Sequence, residues 1–176
     1  MQFHNDKDKV LIVDFGSQVT KLIARRIREL KVYCEILNPK ELEKIKNFDL
    51  VKGIILSGGP ATVTKKIYPK ISKKIFKKNI PVLGICYGLQ LIAKVFGGKI
   101  KKSSKKREFG EAVLLEKLKS PLFKNFFKNK KSNVWMSHQD AVFKIPKNFQ
   151  NIASTADSKY TAIQNIKKKI FGIQFH

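Results

Sequence analysis

The sequence is poor in cysteine and has no long apolar run. Its 176 residues contain only Cys34 and Cys86, and their wide separation does not indicate a disulfide framework or a zinc site. No apolar stretch approaches the roughly 18–20 residues that cross a bilayer, and residues 1–9 are too polar for a signal peptide. We therefore expect a protein of the reducing cytoplasm, with no metal site and no membrane partner.

Acidic residues and arginine are also scarce. The chain has 13 acidic residues against 37 lysines and arginines, which gives a net charge of +24. Arginine is the usual residue for bidentate recognition of phosphates and bases, and it occurs only at Arg25, Arg26, Arg28 and Arg107. The lysines form short groups spread along the chain. The charge is therefore interpreted as solvated lysine-rich surface, and no nucleic-acid partner is expected.

The length and an apolar fraction of 43% fit one domain with a sizeable core, which we place at residues 9–176 after a polar tail at residues 1–8. In the first half, apolar runs typical of buried strands alternate with apolar residues at helical spacing. The runs are 10–13, 32–37, 53–56 and 82–85, and the helical sets are Val19/Ile23/Ile27/Leu30, Ile67/Ile71/Ile75 and Leu89/Ile92/Ala93/Phe96. This alternation predicts an α/β fold with a mostly parallel central sheet flanked by helices.

The second half contains short strand candidates with little helical pattern between them. They are 112–115, 134–136, 151–154, 160–164 and 170–175. We expect them to form an antiparallel extension of the sheet. Functional groups of parallel sheets gather at the carboxyl ends of the strands, so the loops at 16–18 and 57–60 should lie near the turn that follows residue 85.

That turn contains Cys86, between an apolar run and a helical pattern and flanked by Gly84 and Gly88. The G-x-C-x-G pattern has the form of a nucleophile elbow with sulfur in place of oxygen. A cysteine at a helix N-terminus also experiences the positive end of the helix dipole, which favours the reactive thiolate. The alternative is a buried core cysteine, which is also the simplest interpretation of Cys34.

A cysteine nucleophile needs a base, and the candidates are His4, His138 and His176. His4 lies in a terminus that we expect to fray. His176 follows an apolar run and should emerge at a strand end, as Cys86 does, so the spacing favours it over His138. A structural, hydrogen-bonded role stays open for His138.

Acyl-transfer chemistry also needs hydrogen-bond donors for the oxyanion of the tetrahedral intermediate. The backbone N–H of Tyr87 is in the usual place, directly after the nucleophile. A second donor is expected in Gly58-Gly59, where the absence of side chains lets a substrate approach the backbone. Taken alone, the S-G-G-P pattern at 57–60 could be an ordinary turn.

Three blocks resemble the signatures of the class I (triad) glutamine amidotransferases. They are L-S-G-G-P at 56–60, G-I-C-Y-G-L-Q at 84–90 and G-I-Q-F-H at 172–176. Within that family, V-D-F-G-S-Q at 13–18, R-E-F-G at 107–110 and V-W-M-S-H-Q-D at 134–140 closely resemble the GMP synthetase branch. The resemblance extends from residue 10 to residue 176, and it implies a flavodoxin-like sheet.

The resemblance implies a glutaminase. Cys86 would attack the side-chain amide of glutamine, Gly59 and Tyr87 would hold the oxyanion, and His176 would transfer the proton. The matching positions that hold the glutamine substrate are Gly58, Gln90, Ser137, His138 and Asp140. The ammonia would pass to a synthetase domain that uses ATP and Mg²⁺ to convert xanthosine monophosphate into GMP, and a homodimer is expected from the resemblance alone.

The sequence departs from the family pattern at its end. The family's histidine block continues His-Pro-Glu, where the glutamate orients the histidine, whereas this chain stops at His176. No S-G-G-x-D-S loop of an ATP-pyrophosphatase domain occurs either. We therefore expect a fragment of a longer protein, with no cofactor of its own. Two alternatives remain: the glutaminase of another class I enzyme, for anthranilate or carbamoyl phosphate synthesis, or a non-catalytic basic binding module on this scaffold.

Overall fold

The computed structural model describes residues 7–102 and 108–176, which form a nine-stranded sheet with helices against it. The strands are β1 (Lys9–Val13), β2 (Cys34–Leu37), β3 (Val51–Leu56), β4 (Val82–Ile85), β5 (Lys99–Lys102), β6 (Glu108–Glu116), β7 (Lys131–His138), β8 (Asp140–Lys144), β9 (Gln150–Ser154), β10 (Ala162–Asn165) and β11 (Ile170–Ile173). The helices are α1 (Thr20–Glu29), α2 (Pro39–Lys44) and α3 (Tyr87–Val95), with short 3₁₀ helices at Lys73–Lys77 and Pro121–Phe123. None of these helices has the length and apolar character to cross a membrane.

The large sheet has the order β2-β1-β3-β4-β11-β10-β9-β6-β7. The strands from β2 to β11 are parallel to one another, and each pair from β11 to β7 is antiparallel. The predicted α/β fold with an antiparallel extension is therefore confirmed. The sequence patterns did not indicate β5 and β8, which pair as a separate antiparallel ribbon. In β5, the sequence K-I-K-K offers one apolar residue, too little to signal a strand.

The parallel strands are covered on both faces, which explains their continuous apolar runs. Ile12 packs with Ala24 of α1 and with Cys34, which is 1% exposed and is therefore the core residue that the sequence predicted. Leu11 and Val13 point to the opposite face and join the largest core cluster, together with residues of α3. A second cluster lies under the antiparallel half, around Leu114, Met136 and Ile152 of β6, β7 and β9.

Two helical predictions were wrong in detail. The Ile67/Ile71/Ile75 set forms no α-helix: Ile67 is 92% exposed, and only the 3₁₀ turn Lys73–Lys77 follows. Pro69 lies inside that pattern, where its ring and missing N–H oppose an α-helix. In the first helical set, Leu30 is 76% exposed because α1 ends at Glu29 and the chain turns away.

The register of the central strands aligns the ends that carry the site. In the β4/β11 pair, Gly84 lies opposite Gly172 and Ile85 opposite Ile173, so the residues that follow leave the same edge side by side. On the other side of β4, Leu56 of β3 lies opposite Gly84. Three chain segments with polar residues therefore emerge together at the carboxyl edge of the sheet.

Candidate active site

Cys86 occupies a strained turn between β4 and α3. Its backbone angles are φ 52° and ψ −104°, a combination that residues with a side chain rarely adopt and that costs about 1–3 kcal/mol. The flanking glycines allow this turn: a Cβ on Gly84 would lie 2.5 Å from the carbonyl carbon of Gly88, and a Cβ on Gly88 would lie 2.3 Å from the Leu56 oxygen. Cys86 therefore lies at the strand-to-helix turn where the elbow pattern places it, and the turn has room only for glycine on either side, as that pattern predicts.

The thiol of Cys86 is nearly enclosed and has three polar neighbours. The S–H donates to the backbone oxygen of Ser137 at 3.7 Å, and the side-chain Nε2 of Gln174 donates to Sγ at 3.4 Å. The backbone N–H of Tyr87 also interacts with the sulfur. Two donors therefore point at the sulfur atom, as a thiolate would require.

Burial raises the pKa of the Cys86 thiol above its ordinary value, although the Tyr87 and Gln174 donors counteract part of this effect. The net direction is opposite to the expectation from the helix N-terminus alone, because desolvation of the charged form outweighs it. At neutral pH the free site therefore holds a thiol, and attack on a substrate requires a neighbouring group to accept its proton.

His176 lies two residues after Gln174, beyond the end of β11 and at the same edge as Cys86. Its backbone N–H donates to the Trp135 oxygen at 3.1 Å, and its oxygen accepts from the Trp135 N–H at 3.0 Å, which fixes its position beside β7. Desolvation lowers the pKa of its imidazole, and the nearby His138 ring lowers it further. His176 is therefore predominantly neutral near pH 7 and can accept a proton, although the hydrogen bonds of the Cys86 thiol go to Ser137 and Gln174.

The loop after β3 brings Gly58 and Gly59 against the elbow. A Cβ on Gly58 would lie 3.6 Å from the Cys86 Cβ, and a Cβ on Gly59 would lie 2.5 Å from the Phe15 oxygen. The buried Ser57 hydroxyl accepts from the Phe15 N–H at 3.1 Å and donates to the Gly58 oxygen at 2.8 Å. A trans peptide directs its C=O and N–H to opposite sides, so this contact turns the Gly59 N–H away from Ser57.

A cavity of about 430 Å³ opens in front of the thiol, which is within the range of small-molecule sites. The predicted site residues that line it are Gly59, Cys86, Tyr87, Gln90, Ser137, His138 and Asp140. Lys65, Lys102 and Phe109 also contribute to its wall. Phe109 comes from the R-E-F-G block, of which Arg107 lies outside the described residues. The structure therefore gathers Gln90, Ser137, His138 and Asp140 around Cys86, whereas the predicted site residues Gly58 and His176 are not among the residues that line the cavity.

Hydrogen bonds hold Gln90 and Asp140 in place. The Gln90 Nε2 donates to the backbone oxygen of Asp140 at 2.9 Å and to the Oε1 of Gln174 at 3.3 Å. The Thr62 hydroxyl donates to the Asp140 carboxylate. Both N–H groups of the Gln90 amide are therefore in use, which leaves its carbonyl oxygen as the group available to a ligand.

Sequence reasoning missed three residues of this arrangement: Ser57, Thr62 and Gln174. Gln174 contacts the Cys86 sulfur, Ser57 orients the glycine loop and Thr62 holds Asp140. A signal existed for Gln174, since it is a polar residue directly after a buried strand that ends beside β4. No comparable signal marks Thr62, because its partner Asp140 is 78 residues away in the sequence.

Known proteins resemble this chain over nearly its whole length. The profile of the family "Glutamine amidotransferase class-I" matches residues 11–176. The chain is 48% identical over 174 residues to the glutamine-hydrolysing GMP synthase of Brachyspira hyodysenteriae, covering 98% of this chain and 33% of that protein. It is 46% identical to the GMP synthase of Caldanaerobacter subterraneus, covering 97% and 33%.

Solved structures give the same fold. A Thermoplasma acidophilum protein, described as a candidate GMP synthase subunit, matches with a TM-score of 0.79 and 28% identity, covering 98% of this chain and 85% of that one. A Thermotoga maritima glutamine amidotransferase matches with a TM-score of 0.77 at 23% identity, covering 96% of this chain and 75% of that one. This match supports the fold alone. The chain spans about a third of the length of the GMP synthases that it matches. On the profile match and these identities, the chain belongs to the class I glutamine amidotransferase family.

Proposed function

We propose that this chain is the glutaminase portion of a GMP synthetase, which hydrolyses glutamine through a cysteine thioester and supplies ammonia for GMP formation. The observation that carries the proposal is the strained elbow that presents Cys86 to a cavity lined by Gly59, Tyr87 and Gln90. The high identity to GMP synthases over nearly the whole chain supports this branch of the family.

The first step forms a carbon–sulfur bond. The sulfur of Cys86 attacks the side-chain amide carbon of glutamine while its proton passes to the neutral imidazole of His176. The carbonyl oxygen becomes an oxyanion, which the backbone N–H groups of Gly59 and Tyr87 stabilise. Such preorganised donors are worth about 10²–10³ in rate each, because they are already aimed at the charge that develops.

The second step releases ammonia. The tetrahedral intermediate collapses, the carbon–nitrogen bond breaks, and the proton on His176 goes to the departing nitrogen. A γ-glutamyl thioester remains on Cys86. His176 then takes a proton from a water molecule that attacks the thioester, and glutamate leaves while the thiol regains its proton.

Substrate positioning is assigned to the walls of the cavity. The free carbonyl oxygen of Gln90 would accept from an N–H of the substrate, and the Asp140 carboxylate would attract its positively charged α-amino group. Gly58, Ser137 and His138 complete the predicted set around the amide. The position of Gln90, His138 and Asp140 in the cavity wall supports this role, because a few placed polar groups fix the orientation of a ligand in such a site.

The remainder of the reaction is assigned to a synthetase domain with which this chain would work. That domain would use ATP and Mg²⁺ to activate xanthosine monophosphate, and the ammonia made here would aminate it. The described residues hold no cluster of His, Cys, Asp and Glu suited to a metal ion. A cytoplasmic homodimer is part of the same proposal.

The test compares two nitrogen sources in the natural full-length protein. Cys86→Ala should abolish GMP formation from glutamine and leave GMP formation from added ammonium unchanged. Cys34→Ala is the matched control, because it removes the other thiol, which lies in the core beside α1, and it should keep both activities. Retention of glutamine-dependent activity in Cys86→Ala would refute the proposal.

A further inference from the structure

Gln174 is a buried polar residue that the proposed reaction does not use. It is 1% exposed and follows β11 directly, so it leaves the sheet beside Cys86, whose backbone N–H donates to the Ile173 oxygen at 2.7 Å. Its side-chain Nε2 lies 3.4 Å from the Cys86 sulfur. A polar group is costly to bury unless it is paired, and both ends of this amide are paired.

The orientation of this amide follows from a neighbour whose chemistry is unambiguous. The backbone oxygen of Asp140 can only accept, so the group of Gln90 that meets it at 2.9 Å must be the NH₂. The same NH₂ meets Gln174 at 3.3 Å, and Gln174 must therefore turn its oxygen toward Gln90. The NH₂ of Gln174 consequently points at the sulfur.

This orientation favours the ionised form of Cys86. In the thiol form, the S–H points to the Ser137 oxygen, an acceptor that offers nothing to a thiolate. After ionisation, the donors at the sulfur are the Gln174 NH₂ and the Tyr87 N–H. Hydrogen bonds to a charged sulfur in a buried site are stronger than those to a neutral sulfur. The two donors therefore lower the pKa of the thiol relative to a site without them.

We propose that Gln174 is the thiolate-stabilising residue of the nucleophile, held in its donating orientation by the chain of contacts from Asp140 through Gln90. The proposal deepens the proposed function and takes its catalytic meaning from it. The hydrogen bond itself is a property of the resting site, and it can be measured without glutamine.

The experiment measures the alkylation rate of Cys86 by iodoacetamide as a function of pH, in a Cys34→Ala variant in which Cys86 is the only cysteine among the 176 residues. Gln174→Met keeps the volume and removes the donor. We expect the apparent pKa of the thiol to rise by about one to two units, the size of a lost hydrogen bond to a charged group, so that alkylation at pH 7 slows about 10- to 100-fold. Gln174→Glu keeps the shape of glutamine, and the pKa of the Cys86 thiol in this variant should rise at least as far.

The matched control is Gln164→Met. Gln164 is also buried, at 2% exposure, but it lies in β10 and bonds to Gln150, so its removal should leave the alkylation profile unchanged. An unchanged thiol pKa in folded Gln174→Met would overturn the proposal. If that variant does not fold by circular dichroism, a Gln174→Glu profile equal to the unmodified one overturns it instead.

A separate assay of glutamate release keeps the two proposals apart. Absence of glutaminase activity in the protein with Gln174 intact would count against the proposed function alone. The thiol pKa would still decide the role of Gln174, because iodoacetamide reports the sulfur and not the substrate. A Gln174→Met protein with a raised thiol pKa and slowed glutamate release would support both.

Discussion

The two halves of the large sheet differ in how they contribute to the site. The parallel half, β2 to β11, is covered on both faces, and Leu11, Ile12 and Val13 of β1 are each 0% exposed. The antiparallel half leaves one face of its outer strands open: Met136 of β7 is buried, whereas the adjacent Trp135 is 58% exposed. The alternation is typical of an antiparallel sheet with one solvated face.

The difference separates two kinds of contribution to the cavity. The parallel half supplies backbone geometry, namely the Cys86 elbow and the Gly58-Gly59 loop, and close packing enforces both. The antiparallel half and the start of β8 supply side chains, His138 and Asp140, which line the wall. We therefore expect a small change in the packed backbone to disturb fold and chemistry together, and a change on the open face to disturb neither.

The largest combined effect on stability and activity is expected from Gly88→Ala. The added Cβ would meet the Leu56 oxygen at 2.3 Å, a backbone atom that cannot move without shifting β3. We expect a loss of about 3 kcal/mol in the free energy of unfolding, at the upper end of overpacking effects, and loss of glutaminase activity. Urea unfolding followed by circular dichroism measures the first, and glutamate release the second.

Gly53→Ala is the control for that prediction. Gly53 also lies in the parallel half, in β3, but its added Cβ would meet the Val10 side chain at 3.7 Å, an ordinary contact. Its unfolding free energy should stay within about 1 kcal/mol of the unmodified protein. Equal losses in the two variants would contradict the view that close backbone packing, and not glycine in general, enforces the elbow.

The next effect concerns catalysis more than stability. Ser57→Ala removes the contact that fixes the Gly58-Gly59 peptide, so the orientation of the Gly59 N–H, the proposed oxyanion donor, is no longer fixed. We expect kcat for glutamine hydrolysis to fall about 10- to 100-fold, somewhat less than for complete loss of a donor. The alkylation rate of Cys86 should not change, because the sulfur keeps its own partners.

The control for Ser57 comes from the antiparallel half. Ser154 of β9 is also buried, at 6% exposure, and lies outside the cavity wall. Ser154→Ala should leave kcat within about twofold, since changes away from a site seldom alter its chemistry. A Ser57→Ala protein with unchanged kcat would show that the glycine loop holds its orientation without this hydroxyl.

A smaller effect is expected in the pH dependence. The mechanism needs neutral His176, whose pKa is lowered by desolvation and by His138, so kcat/KM should persist below pH 6.5 and fall as the pH drops through the lowered value. Removing the His138 contribution with His138→Asn should raise the pKa of His176. The acid limb of the profile should then move to higher pH, whatever the change in its height. An acid limb that does not move would exclude a direct influence of His138 on the base.

The sequence predicted the bounds of β1, β3 and β4 more closely than those of β6 and β7, because the apolar runs of β1, β3 and β4 are continuous, which few other structures produce. The elbow was predictable for a similar local reason: two glycines and a cysteine between a strand and a helix allow few backbone paths. The helix predicted at Ile67 does not form because the proline between the isoleucines opposes an α-helix. The helical spacing of three isoleucines is a weaker signal than that proline.

The candidate site was predictable where its residues are close in sequence and unpredictable where they meet only in the fold. Gln174 and Cys86 are 88 residues apart, and the pairing of β11 with β4 brings them together. The raised pKa of Cys86 had the same origin, because burial of the thiol depends on the whole cavity wall, whereas the helix N-terminus is visible locally. Local chemistry could be deduced from the sequence, and its environment could not.

The smallest effect should come from the open face of the antiparallel half. Trp135→Thr replaces an exposed aromatic side chain by a residue that suits a strand, so the unfolding free energy should change by no more than about 0.5 kcal/mol. Met136→Ala, one residue further and on the buried face, should cost about 2–5 kcal/mol. The backbone pairing of Trp135 with His176 does not involve the indole ring, so glutamate release should also persist in Trp135→Thr. A Trp135 variant as unstable as the Met136 variant would mean that both faces of β7 are packed, and the contrast between the two halves would then be confined to strand direction.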